Sequence, residues 1–290
     1  MTAQTIQATA TAVQRMGEHL RNDLLWKDGQ AQLDKLWENT YIKRQIDRRR
    51  AGAEFSTSDH IRAMVYSMLS SGIVWDRVSP HIDKATKQLA PIDEIFFQYD
   101  PEQLLLCDPE RLTKEIKKLH CASQYTMKQM GALIHTNIPK LVQLEKQYGS
   151  VDTFYQKYTI EDSTLKTLVK ALSAENSDCK LAQMGEALVA EYLKNVGYDI
   201  AKPDRHIRRI LGSKALGCST HETVPIFEAF DIVAALAKEM NRSAAEVDYI
   251  LWSYCAKGYG EICTTKNPKC GLCVASSVCS NPIDINLEEE

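Results

Sequence analysis

Apolar residues recur at the spacing of an α-helix along most of this chain. Ile61, Met64, Val65, Met68 and Leu69 fall at i, i+3, i+4, i+7 and i+8, and Ser58 is placed to cap the helix they define. Leu181, Met184, Leu188, Val189, Tyr192 and Leu193 repeat the pattern, as do Val247, Ile250, Leu251, Tyr254 and Cys255. Pro225 stands at a first-turn position ahead of Ile226, Phe230, Val233 and Ala237, and Gly149 follows a helical stretch as a C-cap does. Sustained period-two alternation is missing and no Asn-Gly dipeptide occurs, so no hairpin is expected. The spacing predicts an all-α chain of about ten or more helices. No solenoid repeat and no long Gly/Ser- or Pro-rich linker divides it, so a second domain must share its connections with the first.

Length and composition narrow the function classes. The 290 residues suffice for one large or two modest domains, and 44% hydrophobic with 25% charged residues is globular composition. No apolar run is long enough to span a bilayer, so no membrane partner is expected. Met1 to Gly17 is rich in Thr, Ala and Gln and lacks an apolar core, which argues against a secretory signal. A cytoplasmic setting follows as the expectation, and there nine cysteines, an odd number, read as reduced thiols rather than a disulfide framework. The net charge of −3 offers a polyanion nothing overall. Locally, Lys43, Arg44, Arg48, Arg49 and Arg50 form one basic cluster and Lys202, Arg205, His206, Arg208 and Arg209 another, while Glu288, Glu289 and Glu290 end the chain. Either basic cluster alone reads more readily as a solvated helix face.

Cys263, Cys270, Cys273 and Cys279 are separated by six, two and five residues. Four thiolates on so short a loop can surround one metal centre. Structural zinc and a four-iron four-sulfur cubane both accept four cysteines, and the cubane is the preferred reading. A site closed by four cysteines is coordinatively saturated, so its default role is structural. Lys266 and Lys269, between the first two thiols, put positive charge where a phosphate contact would be useful.

The run CTTKNPKCGLCVASSVC, with Pro268-Lys269-Cys270-Gly271 inside it and its place near the C-terminus, resembles the cluster loop of the endonuclease III group of helix-hairpin-helix DNA glycosylases. The resemblance spans roughly Ser58 to Asn281 and implies a 4Fe-4S cofactor, duplex DNA with one base flipped out as partner, and a monomer. It also implies a two-lobed fold. Residues 58–196 would form a six-helix barrel with the hairpin, and residues 1–57 with 197–290 a second lobe carrying the cluster loop at 263–279.

That family places a catalytic aspartate ahead of a helix, and Lys202-Pro203-Asp204-Arg205-His206-Ile207-Arg208-Arg209 resembles the segment, which makes Asp204 the candidate. Breaking an N-glycosidic bond builds positive charge on the sugar, and a fixed carboxylate stabilises it and orients the attacking water. The alternative role for Asp204 is a plain N-cap, and the two are compatible. Leu181-Ala182-Gln183-Met184-Gly185-Glu186-Ala187 resembles the DNA-binding hairpin, with Gln183 at the position of a usual first glycine and Gly185 retained. Taken by itself, this stretch reads as an amphipathic helix with one glycine. Ala187 stands where bifunctional members carry a nucleophilic lysine, so a monofunctional enzyme that leaves an abasic site is expected, unless Lys180, Lys194 or Lys202 substitutes. Arg205 and Arg208 are further candidates for backbone contacts.

Met68 to Trp75 resembles the loop that fills the gap left by a flipped base, so Ser70, Ser71, Gly72, Ile73 and Trp75 are wedge or pocket candidates, with Val74 a further possible wedge. Small residues there fit close helix packing equally well. Tyr66 replaces the glutamate of adenine-excising relatives. His120 and Tyr125 lie in a segment resembling the loop that reaches the minor groove. The base is undetermined. The small Ser70-Ser71-Gly72 run suggests a bulky modification, such as those of phage DNA, and hence a role in defence. A bifunctional glycosylase/lyase and a non-catalytic iron–sulfur DNA-binding protein are the competing functions.

Overall fold

The helical spacing is realised almost throughout. A computed structural model describes residues 2–27, 29–160, 162 and 164–280, and among them the chain forms fourteen α-helices. Asn281 and the acidic Glu288–Glu290 end lie outside the described residues. The chain divides into two units, Met1–Thr40 with the segment from Asp199 onward, and Tyr41–Tyr198.

In chain order the helices are α1 (Ala3–His19), α2 (Tyr41–Arg50), α3 (Thr57–Leu69), α4 (Ala90–Ile95), α5 (Pro101–Leu105), α6 (Pro109–Lys118) and α7 (Thr126–Ala132). They continue with α8 (Ile138–Tyr148), α9 (Val151–Thr159), α10 (Lys166–Ser173), α11 (Glu186–Asn195), α12 (Arg205–Ile210), α13 (Ile226–Met240) and α14 (Ala244–Cys255). None is long and apolar enough to cross a membrane among the described residues.

The Tyr41–Tyr198 unit is built on α3, which packs along α11. The expected stripe is buried: Ile61, Met64, Val65 and Met68 are almost fully covered. Each such side chain contributes roughly 1.5–3 kcal/mol. The cap is Ser56 rather than Ser58, because Ser56 and Asp59 close a reciprocal capping box. Ser67 Oγ donates to the Leu188 carbonyl at 2.6 Å and Asn195 Nδ2 to the Ala63 carbonyl at 3.3 Å, pinning α11 to α3.

A polar knot ties α2 into this unit, whereas the resemblance implies that residues 1–57 belong to the other lobe. Arg49 Nε donates to the Val196 carbonyl at 2.7 Å, and its Nη2 spans both Asp152 oxygens at 2.9 and 3.1 Å. Tyr198 donates to Asp152 at 3.2 Å, and its ring lies 4.0 Å from the Arg49 guanidinium. His60 is fully buried, with Nδ1 2.6 Å from the Tyr192 hydroxyl, which in turn pairs with Tyr155 at 2.9 Å.

In the other unit, α1 lies along α13 and α14. Val13 and Met16 are buried there, as are Val233, Leu236, Val247 and Leu251. Pro225 caps α13 from just outside it, with φ −54°, and Gly149 ends α8 with φ +84° in the Tyr41–Tyr198 unit. One hairpin departs from the all-helical expectation: Trp26–Lys27 pairs antiparallel with Gln30–Ala31.

Candidate nucleic-acid interface

Leu181 to Gly185 is a turn, not the start of a helix. The apolar spacing continues through it because Leu181 and Met184 are buried, yet α10 ends at Ser173 and α11 begins only at Glu186. Gln183 holds the left-handed conformation at φ +59°, which explains why glycine suits that position. Gly185 precedes α11 with extended backbone, φ −81° and ψ 175°, and a Cβ added there would meet nothing within 4 Å. Neither backbone strain nor packing within the chain therefore demands glycine at 185. Lys140 Nζ donates to the Asp178 and Lys180 carbonyls at 2.9 and 2.6 Å, fixing the approach to the turn.

Ala187 lies half-buried in the first turn of α11. Of the lysines weighed as substitutes, Lys180 bonds the Ser173 carbonyl and Glu175, and Lys194 is buried beside Glu191.

The loop after α3 exposes Val74, while Ile73 and Trp75 are half-buried. Ser70 Oγ turns back to the Ser67 carbonyl, and Ser71 is half-buried. Gly72 has φ +68°, and a Cβ on it would stand 2.9 Å from two carbons of the Tyr125 ring. Close packing against Tyr125 thus accounts for the glycine without any bulky base. Tyr66 does not border an open pocket: it is buried, donates to Asp93 Oδ1 at 2.7 Å and accepts from the Leu89 amide. Tyr99 donates to the same oxygen at 2.7 Å, and burial pushes the Asp93 carboxyl up. His120 is exposed, with its backbone in the left-handed region at φ +57°.

In the unit formed by Met1–Thr40 and the chain from Asp199, Asp204 caps α12. Its Oδ1 accepts from the His206 amide at 2.8 Å and the Ile207 amide at 3.1 Å. Arg205 is exposed, whereas Arg208 Nε is committed to the Val224 carbonyl at 2.6 Å. Arg209, on the same helix, reaches the cysteine loop: it donates to Cys263 Sγ at 3.4 Å, to Cys255 Sγ at 3.5 Å, and to the Cys263 carbonyl. Cys255 is a core position of α14, and the helical pattern alone gives no sign that its sulfur meets Cys263. A hydrogen bond from Cys255 and the Arg209 guanidinium hold the Cys263 thiol down at about 6, despite burial.

The loop itself folds on Tyr254. The Ile262 and Cys263 amides donate to the Tyr254 carbonyl, and the Val274 amide donates to its hydroxyl at 3.1 Å. Cys263 and Cys279 are near enough to raise the Cys273 thiol, whose first cause is burial. Lys266 and Lys269 are exposed on the loop. Among the described residues, no three His, Cys, Asp or Glu side chains converge to hold a metal ion.

No protein-family model matches the chain, and no curated protein matches it. Among solved structures, the chain is similar to the crystal structure of Methanocaldococcus jannaschii 8-oxoguanine glycosylase/lyase in complex with 15mer DNA containing 8-oxoguanine. Identity is 16%, coverage is 82% of this chain and 94% of that chain, and the TM-score is 0.49.

Proposed function

We propose that this protein is a monofunctional DNA N-glycosylase of the helix-hairpin-helix, iron–sulfur kind. The observation that carries the reading is local to one unit: Asp204 caps the helix whose Arg209 grips Cys263, the first of four cysteines on a carboxylate-free loop. Asp204 stabilises the oxocarbenium-like sugar as the base departs and orients the attacking water. The cap bonds hold the carboxylate in one orientation, so the position costs no reorganisation during reaction. Ala187 supplies no amine, and Lys180 and Lys194 are engaged elsewhere, which supports water as the nucleophile and an intact abasic strand as the product, with Lys202 the remaining amine that borohydride trapping tests.

Four thiols without a competing carboxylate are a donor set suited to a 4Fe-4S cluster. Cys263, Cys270, Cys273 and Cys279 would hold it, and its contribution there is a structural cross-link. Cys263, Cys273 and Cys279 already lie near enough for their charges to act on one another, and a metal completes such a site, since it is rarely preformed. Gln183, Gly185 and the α11 N-terminus offer backbone amides to a phosphate, and the open space at Gly185 permits close approach.

The test is Asp204→Asn on a panel of duplexes carrying alkylated, oxidised, mismatched or bulky modified bases, with abasic sites scored by alkaline cleavage. The variant is expected to lose excision on whichever substrate the wild type cleaves, while still binding DNA. Full activity of the variant overturns the reading. Borohydride trapping is expected to yield no protein–DNA adduct.

A further inference from the structure

An open, cleft-like cavity of about 400 Å³ in the Tyr41–Tyr198 unit is lined by the exposed Arg77, Lys117 and His120, with Ala122 and Ser123. Its chemistry differs from that of a base pocket. Among the described residues that line it there is no aromatic ring besides the imidazole and no carboxylate, and the polar groups are a guanidinium, an amine, an imidazole and a hydroxyl. A nucleobase is sorted by stacking and by paired donors and acceptors, whereas this lining offers donors and charge for an anion.

The walls are fixed to one another. Arg77 ends the short turn Trp75–Arg77 that follows the Gly72–Val74 loop, and Lys117 lies in the last turn of α6. Cys121 Sγ lies between two carbonyls, 3.3 Å from that of Leu119 and 3.5 Å from that of Arg77, and His81 Nε2 lies 3.0 Å from the Leu119 carbonyl. The His120 amide bonds the Lys117 carbonyl at 2.9 Å, which sets the left-handed turn that carries the imidazole. Asp76 sits beside Arg77 in its turn, and Glu115 pairs with Lys118 at 2.7 Å. Neither lines the cavity. Ser123 belongs both to this lining and to the packing under Gly72, so the cavity adjoins the loop pair that exposes Val74 and Tyr125.

We infer that this cavity is a phosphate-binding site, with Arg77 and Lys117 as the charged clamp and His120 and Ser123 as further donors. Resting on the glycosylase reading, its natural occupant is a backbone phosphate of the bound duplex. His120 then serves the sugar–phosphate backbone rather than the excised base.

The experiment measures equilibrium binding of the full chain to a fluorescent duplex with a tetrahydrofuran abasic analogue, across a salt series. Arg77→Ala/Lys117→Ala is compared with Lys146→Ala, which removes an exposed cation of α8. The double variant is expected to bind about tenfold more weakly and to lose about 1 from the slope of log K against log salt, as one phosphate contact requires, with Lys146→Ala near wild type. A second arm titrates inorganic phosphate against chloride at matched ionic strength and follows the His120 imidazole by NMR, assigned with His120→Gln. Duplex binding indifferent to the double variant, together with an imidazole that responds to phosphate, keeps the site but makes free phosphate its source. Indifference in both arms overturns the inference. Duplex binding with that indifference leaves the glycosylase reading standing, whereas absence of duplex binding by the wild type strikes that reading and leaves the phosphate arm to decide the cavity.

Discussion

Asn137 holds Ala182 by both of its backbone groups. Its Nδ2 donates to the Ala182 carbonyl at 3.0 Å, and the Ala182 amide donates back to its Oδ1 at 2.8 Å. Asn137 is fully buried, at the end of a π-helical turn (Leu133–Asn137), and Ala182 directly precedes the left-handed Gln183. Asn137→Ala strands both partners and is expected to destabilise the protein by about 2–4 kcal/mol, read from urea unfolding. It is also expected to weaken duplex binding, because the Gln183–Gly185 amides lose their brace. An unchanged midpoint would show that the pair carries no net energy.

Capping and chemistry at Asp204 separate by substitution. Asparagine caps a helix about as well as aspartate, while alanine costs about 1 kcal/mol. Asp204→Asn is therefore expected to retain the wild-type melting temperature and Asp204→Ala to lower it, with excision lost in both. A stability loss in the Asn variant equal to that in Ala would mean that the carboxylate's charge, rather than its cap bonds, stabilises α12.

Acid should loosen the Tyr41–Tyr198 unit through Asp152. Burial raises its carboxyl, but His60, 3.4 Å from Oδ1, and Arg49 outweigh burial and bring it from 3.8 to about 2. A carboxyl lowered on folding stabilises fully above its unfolded value and loses that contribution as pH falls through the folded one. About 2 kcal/mol is thus expected to vanish between about pH 4 and pH 2, because each tenfold change in proton affinity is worth about 1.4 kcal/mol. Stability against pH measured for wild type and Asp152→Asn should differ in slope in that window, and parallel curves would rule out this source.

Gly72 and Tyr125 should be coupled. Gly72→Ala meets both a left-handed backbone and the ring, and is expected to cost about 1–3 kcal/mol. In the double variant with Tyr125→Ala the ring clash disappears, so a double-mutant cycle by chemical denaturation should return a coupling of about 0.5–2 kcal/mol. Additive losses would place the whole cost in the backbone.

Metal content tests the cysteine loop directly. Protein purified anaerobically is expected to be coloured and to carry about four iron and four sulfide per chain, as a single cubane requires. Serine at any of Cys263, Cys270, Cys273 or Cys279 should lower that content and weaken the fold of the unit more than it alters chemistry at Asp204. Serine at Cys255 should leave the iron count unchanged, since Cys255 lies in α14 behind Cys263.

What was legible in the sequence was local. Helix periodicity records which face each segment buries, so α3, α13 and α14 and the all-α class follow from spacing alone. Asp204, Pro225 and Gly149 announce helix ends because each acts locally: Asp204 bonds amides two and three residues on, Pro225 fixes its own φ at the helix start, and Gly149 takes a positive φ at the helix end. The four cysteines are legible because their whole arrangement fits inside one loop. Tertiary structure decided whatever depends on a distant partner. Leu181 and Met184 keep helical spacing yet sit in a turn, braced by Asn137 from 45 residues away. Tyr66 faces Asp93, α2 is anchored by Arg49 to Asp152, and Arg209 reaches Cys263 across 54 residues. A side chain's period reports that it is buried. Only the packed chain fixes which group lies opposite, because a hydrogen bond needs a donor and an acceptor brought within about 3 Å.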